Sequence, residues 1–156
     1  MDLPLHPILV HFPIALLFAS VLFDLLGRTL SRDSFREGAL WLLGLGFIGG
    51  VAAAIAGGMA EEAAEQAGIA ESLIETHETL AQITLGIMAL MLLFRLFLRN
   101  RFSTRTLAAY SVAATMGLIA LIAAGHTGGN LVYQHGAGVT NAQHPSHPIA
   151  QNQHGG

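Results

Sequence analysis

The sequence predicts an all-α integral membrane protein: an up-down four-helix bundle, both termini on the outer side (N-out/C-out), with a polar flexible C-terminal tail. Three observations carry that expectation. Charged residues make up only 11% of the 156 and hydrophobic ones 53%, where soluble domains carry roughly a quarter charged. A chain this short is largely surface, so the bilayer is the natural solvent for that much apolar material. Four continuous apolar stretches, about 8–27, 40–59, 79–98 and 106–125, each approach the roughly 20 residues that a helix needs to cross ~30 Å of hydrocarbon. They do not alternate, which argues against a β-barrel. Finally, the basic residues are all arginines, and Arg28, Arg32, Arg36, Arg95, Arg99, Arg101 and Arg105 fall at the 1–2 and 3–4 connections. The positive-inside rule makes that side cytoplasmic. The opposite side carries Asp2, Glu61, Glu62, Glu65, Glu71, Glu75 and Glu78 without a basic partner. The location implied is a bacterial inner membrane, multi-pass.

The first stretch lacks a basic leading region and a small-residue cleavage site, so it is expected to stay as a span and not act as a signal peptide. Pro7 suits a first helical position. Pro13 sits deeper and is expected to kink helix 1 by freeing the carbonyl of Leu9. Asp24 most simply pairs with Arg28 one turn on. In helix 2, Gly46, Gly50, Ala54 and Gly58 recur every fourth residue. Such a stripe lets another helix approach closely and is read first as helix packing or dimerisation, and second as a groove for a flat macrocycle. Gly68 is the expected stop for a helix 2 that continues past the membrane as Ala60–Ala67. Ser72 with Glu75 makes a capping box, so helix 3 is expected to start near Leu73 and run over about 73–98. Trp41 and Tyr110 are placed near the cytoplasmic interface, where amphipathic rings collect. The arginines most simply set topology and meet anionic lipid.

Beyond Gly125 the chain changes character. Segment 126–139 is glycine-rich with an apolar centre and is expected to fold back on the outer face. The tail 140–156 is rich in Gln, Asn, His and Pro and reads as disordered. Residues 1–139 then form one four-helix transmembrane domain. There is no cysteine, which excludes disulfides, thiolate chemistry and Cys-type metal sites.

The eight histidines are His6, His11, His77, His126, His135, His144, His147 and His154, and the topology puts every one on the outer side. Ionisable residues within membrane helices are functional candidates by default, and histidine ligates both metal ions and haem iron. Helices 1 and 3 are diagonal partners in an up-down bundle, so His11 and His77 can face each other across the core. They are the expected axial ligands of a haem b, with His126 or His135 as a replacement for either and His6 nearby. His6 and His126 are equally readable as wet interfacial side chains. With no outer arginine or lysine, haem propionates would rely on Thr76, Thr79, Thr127, Asn130, backbone N–H groups or protonated histidines.

The opening His6-Pro7-Ile8-Leu9-Val10-His11-Phe12-Pro13-Ile14-Ala15-Leu16 with Asp24, the pair Thr76-His77, and the closing Gly128-Gly129-Asn130-Leu131-Val132-Tyr133-Gln134-His135-Gly136-Ala137-Gly138-Val139 resemble a bacterial family of predicted four-helix membrane proteins catalogued as a domain of unknown function. The resemblance covers about 1–139. It implies a membrane location and, more loosely, kinship with bundle cytochromes that hold b-type haem. The positions carried over are His6, His11, His77 and His135, while His126 looks like an addition. The chain departs from the closing pattern at Asn130, where an acid is common, and at Gln134, where a base is common.

Three functions compete. One is a haem-b electron-transfer subunit whose acidic outer face suits a basic soluble redox partner. The second is a binder of Cu or Zn ions that uses three or four histidines with Glu75 or Glu78. The third is a cofactor-free assembly subunit of a homo-oligomer or larger complex, docked through the glycine stripe. A stand-alone enzyme is not expected, for want of a nucleophile–base pair or a phosphate-binding loop. Nucleic-acid binding is not expected either, because the basic residues line the membrane.

Overall fold

The computed structural model describes residues 5–98 and 103–137, with side chains from Leu9 onward. These residues form four α-helices: α1 (Leu5–Thr29), α2 (Asp33–Gln66), α3 (Glu71–Phe97) and α4 (Thr104–His135). All four are long and apolar enough to span a membrane. The helices pack in ring order, α1 along α2, α2 against α3 and α3 along α4, with α1 and α4 meeting only sparsely. Helices α1 and α3 are therefore diagonal, as an up-down bundle requires. Arg99, Arg101 and the tail 140–156, with His144, His147 and His154, lie outside the described residues.

The main core gathers Leu17, Leu43, Met88, Met91, Tyr110, Ala114 and Leu121. Much of the outward surface is large and apolar, including Phe18, Ile48, Ile55, Leu90 and Ile119, as lipid-facing helices demand. Small residues set the α1–α2 distance. A Cβ on Gly46 would stand 3.2 Å from that of Leu16, and one on Gly49 3.0 Å from the Phe12 ring. Ser20 is fully buried and donates to the Ala39 carbonyl at 2.8 Å. The glycine stripe thus divides: Gly46 and Gly50 lie against α1 and α3, whereas Gly58 meets open space and Ala54 is exposed.

The helix ends differ in part from the sequence expectations. Helix α2 stops where Gly68 signals it. Gly68 takes φ 83°, and the Ile69 N–H donates to the Ala64 carbonyl at 3.2 Å, closing a Schellman motif with an apolar contact between those two residues. At 34 residues, α2 is ~50 Å long and outruns the hydrocarbon, so its glutamate-bearing end stands clear. The Ser72–Glu75 capping box does not form. Helix α3 starts at Glu71 with Ala70 as N-cap and no side-chain cap, because buried Ile69 and Ile74 pin the turn earlier. Pro7 is the third residue of α1, not the first, and α1 runs on through Pro13. The largest difference is in α4, which does not end near Gly125. It continues to His135 and stops at left-handed Gly136, φ 71°. The cause is Leu131, which packs with Ile69 and Ile74 in a second, smaller core and holds the glycine-rich turn on the bundle instead of folding it back. Tyr110 stands at the arginine end, with Arg28 and Arg95 over its ring, and is buried in the main core there. Trp41 is 68% exposed, as an interfacial ring would be.

Candidate functional site

At the end of the bundle opposite the arginines, His77 sits one and a half turns into α3 and turns towards α4. Its Nδ1 lies 3.0 Å from the Ala124 carbonyl and 3.2 Å from the Thr127 hydroxyl. The Thr127 hydroxyl itself donates back to its own helix at Ala123 and Ala124. Nδ1 is then the protonated nitrogen, donating to the carbonyl, and Nε2 carries the lone pair. The ring lies on Gly128, where a Cβ would come within 2.8 Å of Cε1, so that glycine is what lets the imidazole reach the α4 backbone. Just beyond, Leu73, Thr76, Thr127, Asn130, Leu131 and His135 line a small cleft of about 40 Å³. His135 is exposed, with Nδ1 3.2 Å from the Asn130 carbonyl.

His11 is exposed on α1. It lies about four turns before Leu25 on one helix face, and Leu25 lines the seam between α1 and α4. His126 is exposed on α4, and His6 lies in the first turn of α1 with its side chain outside the described residues. The structure thus gathers His77 with Thr76, Thr127, Asn130 and His135 along α3 and α4. Among the described residues, no three His, Asp or Glu side chains come close enough to share one metal ion.

A second polar cluster lies at the arginine end. Asp24 and Arg95 are both buried. Arg95 donates to Asp24 Oδ1 and to the main-chain carbonyl of Arg36. Arg28 approaches Asp24 Oδ2 at 3.8 Å. Both guanidinium groups lie over the Tyr110 ring, at 5.4 and 5.8 Å from its centroid, close enough for cation–π attraction. One carboxylate thereby joins α1, α3, α4 and the start of α2.

A family profile described as a predicted membrane protein, DUF2231, matches residues 2–141. The chain belongs to the DUF2231 family. Nothing among curated proteins matches the chain significantly, and neither does any solved structure. The match spans both polar clusters of this DUF2231 member and stops at the start of the tail. The Asp24–Arg28 pairing was readable from its one-turn spacing, but the closer partner, Arg95, was not. Its signal was present all the same. Asp24 and Arg95 are the acidic and basic residues that fall inside apolar stretches 1 and 3, where a charge needs a partner.

Proposed function

We propose that this membrane protein is an electron-transfer subunit of the bacterial inner membrane. Its histidine end would hold one haem b, with His77 of α3 and His11 of α1 as the residues that would bind the iron. The observation that carries this reading is the tether of His77. An imidazole whose Nδ1–H is bound to a backbone carbonyl presents Nε2 as a fixed, more basic ligand, the usual arrangement around ligating histidines. The donor types suit the group, but the two imidazoles do not face each other across the core as the sequence suggested: His11 is exposed on α1 and the His77 ring turns towards α4. Haem asks the protein for only two nitrogens, and diagonal α1 and α3 carry one candidate each. The Asn130 side chain of the small cleft offers an amide donor to a propionate, whereas the Thr76 and Thr127 hydroxyls donate to carbonyls of their own helices. When bound, haem would supply single-electron transfer.

The Cu or Zn reading is less well supported, because a bare ion wants three or four protein ligands and the described residues bring no such set together. A scaffold role has one observation in its favour: Ala54 and Gly58 leave the outer half of the α2 stripe open for another helix. On the positive-inside rule the arginine end is cytoplasmic and both termini are periplasmic. The exposed Glu62, Glu65, Glu71 and Glu75 then face a basic redox partner.

The test is the haem content of the protein purified from haem-replete cells, measured per chain as the pyridine complex. We expect about one haem per chain, with His77→Ala and His11→Ala each abolishing it while helicity is retained. Full haem content in the His77→Ala protein would refute the assignment.

A further inference from the structure

Helix α3 turns one face away from the bundle. Its buried residues Ile74, Thr84, Met88, Met91 and Arg95 lie on one side. At about 100° per residue, Thr79, Gln82, Gly86, Leu90, Leu93 and Phe97 align on the opposite side, and all six are exposed. We propose that this face is the contact between two copies of the chain in the membrane, with the Gln82 side chains paired across a two-fold axis and the helix backbones brought together at Gly86.

Two observations point to that partner. The first is an unspent amide. Hydroxyls within the spans give their protons to nearby carbonyls: Ser20 to Ala39, Thr84 to Leu80, Ser111 to Leu107, Thr115 to Ser111 and Thr127 to Ala123. Thr79 and Gln82 are exposed instead, and neither side chain has a hydrogen-bond partner among the described residues. Gln82 lies one turn past Glu78, the last acid of the outer end, on the lipid side of a helix that continues apolar. A polar group left there without a partner is costly, and a hydrogen bond to another helix is its usual relief. The chemistry of the amide selects a second copy. One carboxamide holds both donors and acceptors, so two of them related by a two-fold axis satisfy each other reciprocally, as an isologous contact requires.

The second observation is room for approach. A Cβ on Gly86 would meet nothing within 4 Å, whereas Gly46 and Gly128 are each pressed by a neighbouring element. The fold of one chain therefore does not call for glycine at position 86. One turn from Gln82 on the same face, it lets a second helix come close enough for the amides to meet. The open α2 face at Ala54 and Gly58 differs, because it offers no side-chain donor or acceptor within the span and lipid suffices there. Helices that cross between Gln82 and Gly86 at the roughly 40° typical of glycine contacts diverge towards the outer end. The exposed Glu75 carboxylates, on the same face, then stand apart in water. His77 lies on the far side of α3, turned to α4, so the contact leaves the histidine site untouched.

The test uses the full chain in liposomes. The sequence has no cysteine, so single replacements report one position each. Leu90→Cys on α3, Ile55→Cys on α2 and Ile119→Cys on α4, all at positions more than half exposed, are treated with a short bis-maleimide. We expect a covalent dimer from Leu90→Cys that persists when the membrane is diluted with lipid, and only collisional traces from the other two. In the Leu90→Cys background, Gln82→Leu should weaken association about tenfold, the loss of the reciprocal hydrogen bonds, and Gly86→Leu should weaken it too. Gln82→Asn, which keeps the amide, should retain most of the dimer. Because Gln82 has no partner inside the chain, Gln82→Leu should leave helicity and unfolding in SDS unchanged, which separates lost association from lost folding. Equal yields at the three positions, no covalent dimer at any of them, or a dimer unchanged by Gln82→Leu overturns the proposal. A Leu90→Cys adduct with a different membrane protein in whole cells, in place of the dimer, overturns it in favour of a heteromeric contact.

Discussion

Replacing Asp24 by asparagine removes one charge from the arginine-end cluster and changes almost no volume. Arg95, 8% exposed on α3, then keeps its bond to the Arg36 carbonyl but loses its counter-ion. Taking one partner from a buried ion pair typically costs 3–5 kcal/mol. Because the asparagine oxygen still accepts a hydrogen bond from Arg95, the lower end applies, about 3 kcal/mol. The double replacement Asp24→Asn with Arg95→Met removes the stranded cation, so its cost should fall short of the summed single costs by about 2 kcal/mol, within the range of directly coupled pairs. Arg36→Ala is the control, since Arg95 uses only the main-chain carbonyl of that residue, and it should cost little. The assay is equilibrium unfolding in mixed micelles at increasing SDS mole fraction, followed by helical circular dichroism. An Asp24→Asn protein within 0.5 kcal/mol of wild type, or strictly additive single and double variants, would refute the view that this pair ties α1 to α3.

Gly46→Ala places a Cβ 3.2 Å from that of Leu16 and 3.3 Å from Met88 Cε, so it should destabilise by roughly 1–3 kcal/mol, the usual range for overpacking. Gly44→Ala and Gly86→Ala meet nothing within 4 Å and should stabilise by up to about 1 kcal/mol through helix propensity; the same unfolding assay separates the two classes. Ser20→Ala loses one buried bond to a carbonyl inside α2, a loss of about 1 kcal/mol by the same measurement. Gly128→Ala pushes on the His77 ring at 2.8 Å; on the haem reading it should lower haem content or shift the visible α band while helicity stays unchanged.

The spans were legible because the bilayer imposes length and composition directly on the sequence. Gly68 was legible as a stop because only a residue at ease with positive φ fits there. The expectations that failed were local signals overruled by packing. Ser72 and Glu75 have capping-box spacing, but Ile69 and Ile74 bury together with Leu131 and start α3 earlier. Gly128 and Gly129 look like breakers, yet Gly128 is the surface on which His77 rests, and the docking of Leu131 keeps the helix going. Arg95 was grouped with the topology-setting arginines because only a tertiary view shows Asp24 opposite it. The outer convergence of histidines was legible as a depth but not as a direction. His77 addresses α4, and His11 is exposed on α1.

The most direct test of the functional account is a reduced-minus-oxidised visible spectrum of the wild-type protein, purified in mild detergent from haem-replete cells. The account predicts a sharp b-type α band on reduction, the signature of a six-coordinate haem with two imidazoles. A folded, colourless preparation with no such band would contradict it.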